Sequence, residues 1–280
     1  MNFKIIIYWL KRVVIFFCQL SIISFVRIRN RNFEDIDAID IQGKDKLFIL
    51  GTGSSINNLS KDKLEYLRSK NFLTIGLNGW VYHSFIPDIY AIEFGRFFNQ
   101  IDDPIINMAI HKSISKKDNP PVLLINQGLK YSNLKRYRFR DCKKIVTYSH
   151  IRLNDSSKES YQKSLVFLMN FLHRIPRIIS RNFLLGTSSS LERIVSLGII
   201  FGFKEIVLLG IDLSGPHFYD KEPGEGKKLI HRTNDPKYRK LIIEEMMTEY
   251  KKIANKHNIK IFSQSESSPL AKIFPVYKWD

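Results

Sequence analysis

Lys46-Leu47-Phe48-Ile49-Leu50-Gly51-Thr52-Gly53-Ser54-Ser55 decides the fold of this chain of 280 residues. Leu47 to Leu50 make an apolar run without alternation, the pattern of a strand buried on both faces. Two glycines and three hydroxyl residues follow at once, and then an amphipathic stretch through Leu59, Leu64 and Leu67. The order is strand, glycine-rich turn, helix start. Glycine lets a backbone approach where a Cβ would block it. The first amides of a helix lack partners inside it and can point at an anion. Two readings fit the turn. One is a nucleotide or phosphate cradle at the carboxyl end of a first strand. The other is a tight strand-to-helix turn capped by serine. The turn lacks the third glycine of the dinucleotide fingerprint and the lysine of a P-loop.

Outward from it, strands and helices alternate. A helix is expected over Lys61–Ser69. Strands are expected over Phe72–Leu77, closed by Asn78-Gly79-Trp80, over Pro87–Ile92, ending at Glu93, and over Val122–Asn126. Arg136, Arg138 and Arg140 alternate within the basic tract Lys130–Lys144, as on an edge strand with one solvated face. Residues from about 150 to 182 read as basic and helix-like, interrupted by Pro176. A second informative block begins at Gly186-Thr187-Ser188-Ser189-Ser190. Its hydroxyls can cap a helix over 190–201, which Gly202 ends. Ile206–Leu209 is a buried strand leading into Gly210-Ile211-Asp212. A helix over Pro236–His257, a last strand over Ile259–Phe262 and a capped turn at Ser265–Ala271 complete the chain. This alternation predicts an α/β fold over residues 45–280. It is a single Rossmann-like, doubly wound domain with a mainly parallel sheet and flanking helices. Strand carboxyl ends line the crevice of such a sheet. Gly51–Ser55, Asn78, Glu93 and Asp212 are therefore expected at one cleft. Residues 213–236 are long, rich in Gly and Pro, and carry His217, Tyr219 and His231, which suits a lid.

The formal net charge is +17, which attracts phosphates, acidic glycans, nucleic acid or anionic lipid. An apolar share of 44% can fill a sizeable core, and 20 phenylalanines with 12 tyrosines argue against disorder. Cys18 and Cys142 form no metal motif and no disulfide framework, which points to a reducing compartment. Ile5 to Val26 are mostly apolar, and Lys4, Lys11, Arg12 and Gln19 share one helical stripe. A spanning helix would bury Lys11 and Arg12 at a cost of roughly 2.5–3.5 kcal/mol each. Residues 1–32 therefore read as an amphipathic helix lying in the interface, with a spanning helix or one packed on the domain as alternatives. No small-residue cleavage site is present, so no cleaved signal peptide is expected. Asp35, Asp37 and Asp40 read as a solvated loop. Binding of nucleic acid is not expected, because no motif is present and aromatics are not interleaved as a stacking platform. An NAD-dependent oxidoreductase fits poorly, since Asn78 stands where an acidic residue would end the second strand. Two alternatives stay open. One is a metal-dependent, pyrophosphokinase-like nucleotide enzyme using Asp88 and Glu93. The other is a non-enzymatic basic protein binding a membrane or nucleic acid.

Several segments together resemble the bacterial sialyltransferases of glycosyltransferase family 42. They are Gly51-Thr52-Gly53-Ser54-Ser55, Leu77-Asn78, Thr187–Ser190, Gly202–Asp212, a lid with His231, and the terminal Ser267-Ser268-Pro269-Leu270-Ala271. The resemblance covers about residues 46–280, and Gly202–Asp212 is its most specific part. It implies an enzyme, a glycosyltransferase that inverts at the anomeric carbon. The donor would be a CMP-activated sialic acid, with no metal or other cofactor required. The acceptor would be a surface glycan: lipooligosaccharide, lipopolysaccharide or capsule. It also implies a place on the cytoplasmic face of the inner membrane, through residues 1–32, and allows a homo-oligomer.

By position, Gly51, Thr52, Gly53 and Ser54 would lie beside the nucleotide, and Ser55 near the donor. Asn78 would contact the CMP moiety. Ser189 or Ser190 would bond the donor sugar or phosphate, and Gly210 with Asp212 would approach the ribose. Tyr219 would hydrogen-bond the leaving phosphate, and His231 would be the general base. The family usually has Asn and Pro where this chain has Thr52 and Ser54, and Ser-Gly where it has Ser190-Leu191. It has a second lid tyrosine, for which His217 or Ser214 could stand. A related CMP-activated acidic sugar, such as Kdo, fits the same cleft. The chemistry is coherent: the donor carries its own leaving group, so catalysis needs donors on the departing phosphate and one base. A neutral histidine, with an ordinary pKa near 6.5, is suited to that base.

Overall fold

The computed structural model describes residues 33–34, 36–69, 71–92, 104–116, 118–126, 142, 144–152, 183–186, 189–213, 217–218 and 236–279. The strands are β1 (Phe33–Glu34), β2 (Lys46–Leu50), β3 (Phe72–Leu77), β4 (Ile89–Ile92), β5 (Val122–Asn126), β6 (Ile145–Arg152), β7 (Phe183–Gly186), β8 (Glu205–Leu209) and β9 (Lys260–Ser263). The helices are α1 (Lys61–Tyr66), α2 (Pro104–Ser115), α3 (Ser190–Phe201) and α4 (Pro236–Lys256). The sheet order is β1-β6-β5-β4-β3-β2-β8-β9, with β7 on the later part of β6. All these pairings are parallel.

Parallel strands need both faces covered. On β2, Leu47 and Ile49 point into one core with Ile194, Val195 and Leu197 of α3 and Met247 and Tyr250 of α4. Phe48 and Leu50 point into the other, with Ile106, Ala109 and Ile110 of α2 and the indole of Trp80. Each fully buried side chain of this kind contributes about 1.5–3 kcal/mol, so the unbroken apolar run Leu47–Leu50 is explained. The same logic explains α3, which is buried along nearly its whole length. Ser189 caps it by accepting from the Leu191 N–H at 3.2 Å, and Gly202 ends it in the left-handed region at φ 74°. Both ends were legible in the sequence.

From β2 the chain winds outward through β3, β4 and β5 to β6, then returns to add β8 and β9 on the opposite side of β2. The winding direction therefore reverses between β2 and β8. Leu50 is level with Gly76 on one side and with Leu209 on the other. This register sets Gly51, Asn78 and Gly210 just beyond three adjacent strand ends.

Several expectations need correction. Residues 150–152 are strand, so the helix-like reading does not hold from 150; this part of β6 gains a ladder from β7 that local propensity did not show. The two short strands β1 and β7 were not expected at all. The strand expected from Pro87 begins at Ile89, because Asp88 turns its carboxylate onto Thr74. Helix α1 ends at Tyr66, with a turn in place of its last expected residues. Asp40 lies in an exposed turn, where its Oδ1 accepts from the Gln42 N–H at 3.1 Å. The expected membrane helix over 1–32, residues 130–141 and 143 of the basic tract, residues 153–182 and most of the expected lid lie outside the described residues. Among the described residues no helix is long and apolar enough to cross a membrane.

Candidate functional site

The turns after β2 and β8 are joined. Gly51 donates its N–H to Leu209 O at 2.7 Å, and Gly53 donates to Gly210 O at 2.8 Å. Such an approach excludes side chains. A Cβ on Gly51 would strike Gly210 O, and one on Gly210, at φ +65°, would sit 2.7 Å from Gly51 O. This close approach lays Asp212 across the first turn of the 3-10 helix Ser54–Asn58. The Ser55 N–H donates to Asp212 Oδ2 at 2.9 Å, and the Ser55 hydroxyl donates to Asp212 Oδ1. The amide expected to face a ligand anion thus holds the protein's own carboxylate. Asp212 acts as a cap, and each carboxylate oxygen keeps capacity for a further donor. What this corner offers a ligand is an acceptor pair suited to hydroxyls.

A third chain segment meets the same corner. Gln264 follows β9, and its Oε1 accepts from the Gly210 N–H at 2.7 Å. Its Nε2 donates to Ser55 O at 2.8 Å.

On the other side of β2, Asn78 ends β3 with a positive φ of 42°. This is a conformation that asparagine tolerates better than most residues. Its Nδ2 donates to the Ser190 hydroxyl at 2.8 Å, which joins β3 to the start of α3. Neighbouring parallel strands lie about 4.8 Å apart, so the ends of β8, β2 and β3 fall within roughly 10 Å.

Residues 217–218 close one side. His217 bridges Gly53 in antiparallel fashion, and Phe218 donates its N–H to Thr52 O at 3.0 Å. The Thr52 hydroxyl and His217 Nδ1 are hydrogen-bonded at 2.9 Å. The Phe218 ring packs edge-on to Trp80, with centroids 5.6 Å apart, and to His83 at 5.2 Å. Trp80 and His83 stack at 4.4 Å. His83 Nδ1 accepts from the Phe85 N–H at 3.0 Å, an acceptor that protonation would remove. Burial, and then the Lys112 ammonium, lowers the His83 pKa below its ordinary 6.5. The folded protein therefore favours the neutral ring. Its stabilising contribution is complete above the unfolded value and is lost as pH falls from about 6.5 toward the lower folded value. A melting temperature that falls between about pH 7.5 and 5 is expected, with a smaller fall in His83→Asn. Equal falls in the two proteins would sink this account.

Of the residues expected to form the site, Gly51, Thr52, Gly53, Ser54, Ser55, Gly210 and Asp212 come together in the two joined turns. Asn78 and Ser190 pair at the next strand end, beside the cap Ser189. Tyr219, His231, Ser214, Thr187, Ser188 and Glu93 lie outside the described residues. Asp88 does not belong to the cleft. It sits at the amino end of β4, and its Oδ2 accepts from both the N–H and the hydroxyl of Thr74 at 2.8 Å. Among the described residues no group of three or more His, Cys, Asp and Glu side chains is placed to hold a metal ion. Gln264, Trp80, His83 and Phe218 were not anticipated. Gln264 could have been found by the strand-end rule that located Asp212; the aromatic group carries no local signal.

No family model matches the chain, and no curated protein matches it. Solved structures that it is similar to include three sialyltransferases. The sialyltransferase CST-II, in complex with a trisaccharide acceptor and CMP, is 14% identical with a TM-score of 0.47, over 83% of this chain and 86% of that one. The monofunctional alpha-2,3-sialyltransferase Cst-I of Campylobacter jejuni is 13% identical with a TM-score of 0.42, over 86% and 85%. An alpha-2,3-sialyltransferase of Campylobacter jejuni in its apo form is 16% identical with a TM-score of 0.44, over 86% and 82%.

Proposed function

We propose that the crevice at the ends of β8, β2 and β3 binds CMP and that the protein transfers sialic acid, or a related acidic sugar, from a CMP-sugar to a glycan acceptor. The observation that carries this reading is the Asp212 carboxylate held by Ser55 at the point where the winding reverses. In an open α/β sheet that point is where nucleotides bind. A carboxylate fixed there suits the hydroxyls of a ribose rather than a phosphate. The phosphate and sugar then lie toward Asn78, Ser190 and the amino end of α3, where amides and hydroxyls favour negative charge. The donor class follows from the resemblance of Gly202–Asp212 to family 42.

In the reaction, His231 takes the proton of the acceptor hydroxyl. The new bond forms at the anomeric carbon with inversion, and the bond to the CMP phosphate breaks. Tyr219 donates to the departing phosphate, and His217, hydrogen-bonded to Thr52, or Ser214 takes the part of the family's second lid tyrosine. No metal is needed in this scheme. Residues 1–32 would hold the enzyme on the cytoplasmic face of the inner membrane, where a basic surface meets an anionic, lipid-linked acceptor. Association into a homo-oligomer is part of the same reading.

The test is calorimetric titration with CMP, followed by incubation with CMP-N-acetylneuraminic acid or CMP-Kdo and a lipooligosaccharide acceptor in EDTA. Micromolar CMP binding and acceptor-dependent release of CMP are expected. Absence of CMP binding would overturn the reading, and loss of release in EDTA would overturn its metal independence.

A further inference from the structure

Two turns carry the candidate ligand groups, and they come from strands far apart in sequence. The Gly51–Ser55 turn supplies the first, and Gly210–Asp212 supplies the second. Their own contacts are the backbone bonds from Gly51 and Gly53 and the two bonds from Ser55 to Asp212. The amide of Gln264 spans both turns from outside. Its carbonyl oxygen accepts from the Gly210 N–H at 2.7 Å, and its amide nitrogen donates to Ser55 O at 2.8 Å. Each end of the amide is used in the only sense its chemistry allows, so the side chain reads the relative position of the two turns. The attachment is rigid as well. Ser263, the preceding residue, is fully buried and donates its N–H to Pro275 O at 2.9 Å.

We infer that Gln264 is a positioning residue of this site, setting the distance between the Ser55 turn and the Asp212 turn that a nucleoside must fit. The inference rests on the reading of the crevice as a nucleotide site. Gln264 acts through Ser55 and Gly210, so its loss shifts Asp212 relative to the Ser55 turn without removing any group from the ligand. Misplacement by a fraction of an ångström is enough to weaken hydrogen bonds whose distance and angle are both constrained.

Two substitutions test it. Gln264→Met keeps the length and volume but neither hydrogen bond. Gln264→Glu keeps the acceptor, and as the ionised acid it turns an oxygen against Ser55 O. As the protonated acid it again has one acceptor and one donor, like the amide it replaces. The measurement is CMP affinity by calorimetry, well below the melting temperature, each value taken relative to wild type at the same pH. Gln264→Met is expected to bind CMP about tenfold more weakly at every pH. Gln264→Glu is expected to be about tenfold weaker near pH 8 and to recover to within about threefold near pH 5. A purely structural role would lower the melting temperature and leave these ratios at unity.

If wild type binds CMP and both variants bind it equally well, the inference is overturned and the site reading stands. Failure of wild type to bind CMP overturns both. Should Gln264→Met fail to fold, Gln264→Glu decides alone, and a ratio that does not recover toward pH 5 overturns the inference.

Discussion

Gly53→Ala is expected to lower CMP affinity about a hundredfold, a loss of about 2.7 kcal/mol. An added Cβ would lie against the carboxyl carbon and Oδ2 of Asp212 and 2.8 Å from Asp212 Cβ. That last contact matters, since rotating the carboxylate away does not relieve it. Asp212 must move as a residue, and its bonds from the Ser55 amide and hydroxyl are lost. Hydrogen bonds to a charged group contribute about 1.5–3 kcal/mol each, and the carboxylate would also leave the place where a ribose can meet it. The protein should still fold, because the clash lies at the mouth of the crevice and not under the sheet. A double-mutant cycle makes the test specific. In an Asp212→Gly background both the carboxyl and the Cβ that Gly53→Ala would strike are gone, so Gly53→Ala should add little to the loss already present. Additive losses would mean that Gly53 acts through something other than Asp212. Unchanged affinity in Gly53→Ala would remove this turn from the site.

The same corner shows where sequence reasoning reaches and where it stops. Strand β2 was legible because a strand buried on both faces must be apolar at every position. Gly51, Gly53 and Asp212 were legible as strand-end residues. Their arrangement was not, because it depends on register. Leu50 level with Leu209 is what lets Gly53 reach Gly210 and Ser55 reach Asp212, and no local pattern encodes that alignment. The use made of the Ser55 amide was hidden for the same reason. The amide was correctly seen as lacking a partner within its own turn, but its partner lies 157 residues away. Gln264 stands just past a strand end, as Asp212 does, but the sequence pattern ends that strand at Phe262, whereas the ladder to β8 extends to Ser263. Strand β6 has no clear local signal after the basic tract; pairing with β5 over Ile145–Tyr148 and with β7 over Ser149–Arg152 decides its conformation.

His231→Ala is expected to reduce sugar transfer by about 10²–10⁴, the usual range for loss of a positioned general base. CMP affinity should stay within about twofold of wild type, because the base serves the acceptor and not the nucleotide. The pH profile makes the role specific. A base must be neutral, so the wild-type rate should fall as pH drops below about 6.5, and the residual rate of the variant should lose that limb. His217→Ala provides the contrast. His217 is hydrogen-bonded to Thr52 and bridged to Gly53, so it belongs to the nucleotide side of the crevice. Its loss should weaken CMP binding several-fold while leaving the acid limb of the rate profile in place. The two histidines thus separate by which quantity moves, affinity for one and the protonation-dependent rate for the other. If His217→Ala abolishes the acid limb and His231→Ala leaves the rate unchanged, the base is His217. The reaction would then draw its proton acceptor from the residue bridged to Gly53.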